Sequence, residues 1–252
     1  MPSIETILAT IDERKVTLDA LRQTLDNKTI KDALRVEFLY ESNRIEGNTL
    51  TLRETHLVIN EGITISGKSL REHLEAINHK EAILWIEDII AQDVPFSEHG
   101  LRQIHALVLH GLDHDHAGQY RRVPVMIAGS AYLPPPPYLL PTLMNDYVYF
   151  YTENKATLHP VILAAELHER LVTIHPFIDG NGRTARLVMN LILLQHGYPL
   201  AIIGGDYNNR MIYYETLEQA QLAADKSAFH LFIAQQVLAN LDRYLQILGQ
   251  VV

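Results

Sequence analysis

At 252 residues the chain is long enough for one sizeable core or two small ones. Its 21 basic and 30 acidic residues give a net charge of −9, which argues against a nucleic-acid partner, and the lack of cysteine removes disulfides and thiolate metal sites. The N-terminal stretch carries Glu5 and Asp12 instead of a signal-peptide run. The apolar run from Leu187 to Leu194 is interrupted by Asn190 and is too short for a bilayer, so the reading is a cytoplasmic chain with no membrane partner.

The elements read as helix after helix. Ile4, Ile7, Leu8, Ile11, Leu18 and Leu21 keep helical spacing. A second helix is predicted from about Thr29 to Asn43, with Ile30, Leu34, Phe38 and Leu39 on one face, and it stops at the turn-rich residues 46–49. Thr51 and Glu54 form a capping-box pattern for a short helix that Gly62 ends; Ser69 and Glu72 repeat it before a long helix reaching Ile90. Ser97 caps the next, to about His110.

Between Gly118 and Pro141 this rhythm breaks. Val123, Val125 and Ile127 alternate, Gly129-Ser130 offers a turn, and Pro134 to Pro137 forbid helix. A short β-hairpin flap and a plain proline-pinned surface loop fit equally well. Helices resume at Pro160 through Thr173, from Thr184 to about His196 before Gly197, near Asn209 to Ala223, and from Ser227 to Leu248.

The stretch before the apolar helix is dense in chemistry. A helix N-terminus leaves backbone N–H groups unpaired and favours anions. Gly180 and Gly182 let a ligand approach the backbone, and Arg183 and Arg186 lie three apart where both reach one polyphosphate. Asp179 offers a hard oxygen beside the same phosphates, and His175 titrates near neutrality as a general base should. Each piece alone has an ordinary structural reading; a base, a metal ligand, an anion nest and two arginines within residues 175–186 do not.

These residues also carry a resemblance. His175-Pro176-Phe177-Ile178-Asp179-Gly180-Asn181-Gly182-Arg183-Thr184-Ala185-Arg186 resembles the Fic motif at every specified position, and the likeness extends over about residues 118–220. It implies an all-α, Fic-type helical bundle with a small β-hairpin flap. It also implies a protein adenylyltransferase, moving AMP from ATP to a Ser, Thr or Tyr hydroxyl with Mg²⁺ (or Mn²⁺). His175 would be the base and Asp179 the metal ligand. Gly180, Asn181, Gly182, Arg183, Thr184 and Arg186 would hold the phosphates, with Phe177 a core anchor. Met126, Ile127, Ala128 and Gly129 would form the flap on which a protein target docks by strand addition. The purine would lie near Tyr213, Tyr214 and Gln221, although core packing explains those tyrosines equally well. Doc-type kinases of this fold lack the second glycine of the motif, so Gly182 favours AMP transfer; phosphocholine transfer stays open.

Ser42-Asn43-Arg44-Ile45-Glu46-Gly47 resembles the family's inhibitory motif, placed N-terminal to the core. A Glu46 carboxylate facing Arg186 would take the place of γ-phosphate oxygens, with an arginine–carboxylate fork as the expected geometry. Residues 1–94 are then an N-terminal helical region holding the inhibitory helix, and 95–252 the catalytic core. Removal of AMP by a de-AMPylase of the same fold and a nucleotide-sensing module with little turnover remain the alternatives. Self-modification and homodimerisation are left open. The His110–His116 loop is rich in metal-binding residue types but lacks helical ligand spacing, and His168 reads as a packing residue.

Overall fold

The computed structural model describes residues 2–22 and 28–249. They form α1 (Ile4–Arg22), α2 (Lys28–Ile45), α3 (Leu52–His56), α4 (Leu70–Ala91), α5 (Glu98–Val108), α6 (Leu140–Asn154), α7 (Pro160–Ile174), α8 (Asn181–Gln195), α9 (Tyr207–Ala223) and α10 (Ser227–Gly249). Both predicted capping boxes are present: Thr51 and Ser69 each accept from the backbone three residues on, and Glu54 and Glu72 reach back. A wide turn over Leu57–Glu61 extends α3 and ends at Gly62, whose φ of 68° is the left-handed geometry a helix stop favours.

The centre of the bundle is the α7–α8 pair. Twelve residues of α8 are buried, and from Leu187 to Leu193 its sequence is apolar on every side but for one position. The one interruption, Asn190, is satisfied inside: its amide donates to the carbonyls of Arg186 (3.0 Å) and Ala201 (3.2 Å) and its oxygen accepts from Ala201 N–H (2.7 Å). Around that pair, α4 packs on α5 and α8, α6 and α10 pack on α7, α9 lies on α10, and α1 lies along α10. The end of α2 thereby comes to rest over the start of α8. No described helix is long and apolar enough to cross a membrane.

Two features depart from the sequence reading. Helix α6 was not anticipated, because Pro141 in its first turn continues a proline-rich stretch and its aromatic residues favour strands as readily. The β-hairpin flap is absent: among the described residues there is no strand, and 121–136 is an extended loop with a turn at Ile127–Ser130. The physical reason is where its backbone groups go. Pro124 and Pro134 to Pro137 have no N–H to donate. Arg121 takes the carbonyls of Val123 (3.1 Å) and Pro135 (2.5 Å), and the Glu218 carboxylate takes the Ala131 N–H (2.7 Å). With donors missing and acceptors engaged by side chains, no ladder forms.

Candidate active site

The turn between α7 and α8 is built from its own side chains. Asn181 Oδ1 accepts from Phe177 N–H (3.0 Å) while its Nδ2 donates to Phe177 C=O (2.9 Å), closing a ring over residues 177–181. Its buried amide therefore shapes the loop and is not free to contact phosphate. Phe177 is fully buried, as expected of an anchor, and stacks on His105 with ring centroids 3.6 Å apart. Gly180, with φ 77°, precedes the first residue of α8; a β-carbon there would meet Val108 and the His105 ring at 3.3–3.4 Å. The helix starts at Asn181, three residues before the predicted start, and the amides of Asn181, Gly182 and Arg183 have no intrahelical acceptor.

His175 caps α7 in the left-handed conformation (φ 50°, ψ 57°), an uncommon setting for a residue other than glycine. Its Nδ1 donates to Val172 C=O at 3.2 Å, which leaves Nε2 as the unprotonated nitrogen. Burial and the nearby Arg121 lower its pKa, and the Val172 bond, Glu46 and Asp179 only partly offset them. The net direction is downward, so the imidazole is neutral at pH 7, the form a base requires.

At the anion end, Arg186 is buried and its Nε and Nη2 donate to Ser42 Oγ and Ser42 C=O, both at 2.8 Å. Nη2 also donates to Glu46 Oε1 at 2.7 Å, and Nη1 to Tyr213 Oη at 3.4 Å. The fork thus falls on Ser42, while Glu46 is held by a single prong. Burial works against the Arg186 charge, and Glu46 and Tyr213 more than compensate, so its pKa is raised. A β-carbon on Gly182 would stand 2.5 Å from Glu46 Oε1: the bare helix start admits this carboxylate. Arg183 is buried too; its Nε and Nη1 make no hydrogen bond, and Nη1 only approaches Glu75 Oε1 at 3.5 Å. Those donors are buried and unsatisfied in this arrangement.

Asp179 accepts from Gly180 N–H (2.6 Å), Arg71 Nη2 (2.8 Å) and Arg183 Nη2 (3.3 Å). Burial alone would raise its pKa; Arg183, the Gly180 amide and Arg71 outweigh it and hold the group below the ordinary carboxylate range. Among the described residues no three His, Asp or Glu side chains converge as a metal cage, and the His110–His116 loop holds only a His116–Asp113 pair at 2.8 Å. One ionised, partly exposed carboxylate beside a phosphate site is still the donor set by which Mg²⁺ is held, with phosphate oxygens and water completing it, so Asp179 fits.

The other expected positions divide. Tyr213 is buried against His168, Phe229 and Phe232, with its hydroxyl also 3.0 Å from His168 Nε2, so its ring faces the core and no base can stack on it. Burial pushes the His168 pKa down to about 3, consistent with a packing residue. Tyr214 is 42% exposed and donates to Ile45 C=O at 3.2 Å, at the rim beside Glu46. Gln221 keeps a buried amide nitrogen without a partner, and Thr184 a buried hydroxyl without one. Met126, Ala128 and Gly129 are exposed and Ile127 partly so, at the turn of the loop.

Several residues were missed. His105 accepts from Gly118 N–H (2.9 Å) and donates to Asp179 C=O (2.9 Å); burial lowers its pKa to about 4, keeping it neutral. Its only sequence signal was a polar residue on the buried face of α5. Arg121 donates Nε to His175 C=O (2.8 Å) and its N–H to Pro176 C=O (2.9 Å), so one side chain ties the α7–α8 turn to the flap. Arg71 and Glu75, on α4, gave no signal at all.

The Fic/DOC family model matches residues 95–193. The chain is 36% identical over 249 residues to the protein adenylyltransferase Fic of Drosophila yakuba, covering 95% of this chain and 49% of that one. It spans about half the length of the curated relatives it matches. The structure of Fic-1 (residues 134–508) from C. elegans superposes with a TM-score of 0.86 at 30% identity, over 99% of this chain and 74% of that one. A Fic domain-containing signaling protein from Bacteroides thetaiotaomicron does so with a TM-score of 0.81 at 30% identity, over 92% and 94%.

Proposed function

The chain belongs to the Fic/DOC family, and from that premise we propose that it transfers AMP from ATP to a hydroxyl side chain of a target protein and is held inactive by Glu46. One observation carries this reading: an internal carboxylate lies at an anion-binding helix start, 2.7 Å from a buried arginine, beside a neutral histidine base. The naming of relatives as protein adenylyltransferases and the glycine at 182 favour AMP as the group moved.

In this mechanism Nε2 of His175 takes the proton of the target hydroxyl as its oxygen attacks the α-phosphorus, and the pyrophosphate leaves. The amides of residues 181–183, Arg183 and Arg186 hold the phosphates, stabilising charge that grows on their oxygens. Asp179 would hold Mg²⁺ or Mn²⁺, which supplies charge neutralisation on the phosphates. Residues 126–129, where the Ile127 C=O is engaged by Ser130 N–H, would receive an extended target segment by strand addition. Exposed Tyr214 and the free Gln221 amide are the candidates for the purine. Residues 1–94 carry the inhibitory helix and 95–252 the catalytic machinery. With Glu46 in place, the oxygens of a γ-phosphate cannot reach Arg186, and ATP cannot align.

The test is AMP transfer from labelled ATP, to the chain itself or to proteins of a lysate. Glu46→Gly should label on the order of 5–150-fold faster than wild type, the range of one intramolecular coupling, with a smaller change in total ATP affinity. Arg186→Ala and the double variant should stay poorly active. If Glu46→Gly labels nothing with either metal, adenylyl transfer is lost as the reading.

A further inference from the structure

Glu46 is not the only protein group seated where a ligand of the reaction belongs. Arg71, in the first turn of α4, lays Nη2 on Asp179 Oδ2 at 2.8 Å, on the carboxylate that offers the site's hard oxygen. A guanidinium on Oδ2 and a divalent cation seeking the same oxygen compete, because like charges in contact repel. Arg71 is built to let go. Its side chain is 59% exposed, and its Nε is anchored one turn on, to Glu75 Oε1 at 3.1 Å. Released from Asp179 it keeps that anchor and swings toward solvent.

The anchor also leads to the inhibitory turn. Glu75 Oε2 accepts from Asn48 Nδ2 at 3.0 Å, and Asn43 Nδ2 donates to Glu75 C=O at 3.4 Å. Glu72, which caps α4, accepts from Thr49 N–H at 3.0 Å. The residues flanking Glu46 therefore hang on the same helical turn that carries Arg71, and Glu75 lies within 3.5 Å of Arg183 as well.

We propose that Arg71 is a positioning residue that sets the divalent-cation requirement: it holds Asp179 as an ion pair until the cation takes its place. The proposal rests on the reading of Asp179 as the cation's protein ligand. It makes cation binding an exchange, one guanidinium out for one metal ion in, and it places that exchange on the helix that also supports the Glu46 turn.

The experiment uses the full chain carrying Glu46→Gly, so that the phosphate site is open, and α,β-methylene ATP, which cannot transfer AMP. Binding of the analogue is followed by calorimetry at rising Mn²⁺. Arg71→Ala should lower the half-saturating Mn²⁺ concentration by about 2–5-fold, the equivalent of one exposed ion pair, and Arg71→Lys by less. Affinity at saturating Mn²⁺ should be unchanged. In an Asp179→Ala background the metal response should vanish and Arg71→Ala should add nothing. Unshifted or higher half-saturation in Arg71→Ala overturns the proposal, as does weaker binding at saturating Mn²⁺, which would make Arg71 a phosphate contact. A persistent metal response in Asp179→Ala removes the Asp179 reading itself; loss of that response with no Arg71 effect removes only the role of Arg71.

Discussion

The α7–α8 turn and the flap are both irregular connections rich in glycine or proline, yet they are held in opposite ways. In the turn the polar groups close on each other: Asn181 on Phe177, Asp179 on Gly180, with His105 fixing the Asp179 carbonyl. The flap has one backbone–backbone bond of its own, Ser130 N–H to Ile127 C=O at 3.2 Å, and is otherwise held by side chains: Arg121 at its base, Glu218 from α9, and the Tyr132 hydroxyl on Thr173. On the proposed mechanism, a turn that places a base and phosphate donors gains from being rigid before the substrate arrives, since small misplacements slow chemistry steeply. On the same proposal, a segment that receives a target chain gains from backbone groups left without partners.

The contrast is broken most severely at His175. Replacing it with alanine should lower AMP transfer by about 10²–10⁴-fold while ATP affinity stays near that of Glu46→Gly with His175 intact. Because burial lowers the His175 pKa, the acid limb of kcat/KM should fall below its ordinary value of 6.5, activity being lost as pH drops through the lowered value. An acid limb above 6.5 would contradict a buried neutral base.

Arg121→Ala strikes both regions at once. It leaves the carbonyls of His175, Val123 and Pro135 without their donor, at about 1–3 kcal/mol for each carbonyl that water cannot reach. Thermal unfolding should show a lower Tm, and transfer should fall with it; an unchanged Tm would mean that the turn and flap are independent.

Acid should act on the turn more than on the flap. His79, His105 and His168 are buried, each with its pKa lowered chiefly by burial, to about 4 for His105 and about 3 for His168. The unfolded chain takes up these protons near 6.5 and the folded chain resists them, so stability present above 6.5 declines as pH falls toward 4 and below. Chemical denaturation across pH 4–7 measures this, and His105→Gln, which keeps a donor and an acceptor, should flatten the decline without restoring full transfer. The smallest effect belongs to Glu218→Ala, which frees Ser130 and Ala131 in the flap. KM for a protein target should rise a few-fold with kcat and Tm unchanged; a change in kcat would show that the flap reaches into the chemistry.

Much of this was legible before the structure. Helical periodicity marked every helix but α6, and both capping boxes were readable because their partners lie three residues apart. The turn from His175 to Arg186 was legible for the same reason: its contacts are local, so residue type and spacing nearly fix the geometry. The flap was misjudged as a hairpin because alternation in Val123, Val125 and Ile127 cannot reveal that Arg121 and Glu218 claim the backbone groups a ladder needs. Asn181 was assigned to phosphate, yet its amide is occupied by the Phe177 backbone, a choice between two local partners that sequence does not make.

The sequence by itself determined a helical body, though it expected a β-flap on it, and a turn carrying a histidine, a carboxylate and glycines at a helix start. Only the tertiary structure decided what faces that turn. Glu46 meets Arg186 across 140 residues and Arg71 meets Asp179 across 108. His105 supports the Asp179 carbonyl from another helix, and Tyr213 turns into the core. Contacts within a turn follow from chain geometry, but contacts between helices depend on which faces pack together, and that is set by burial over the whole molecule.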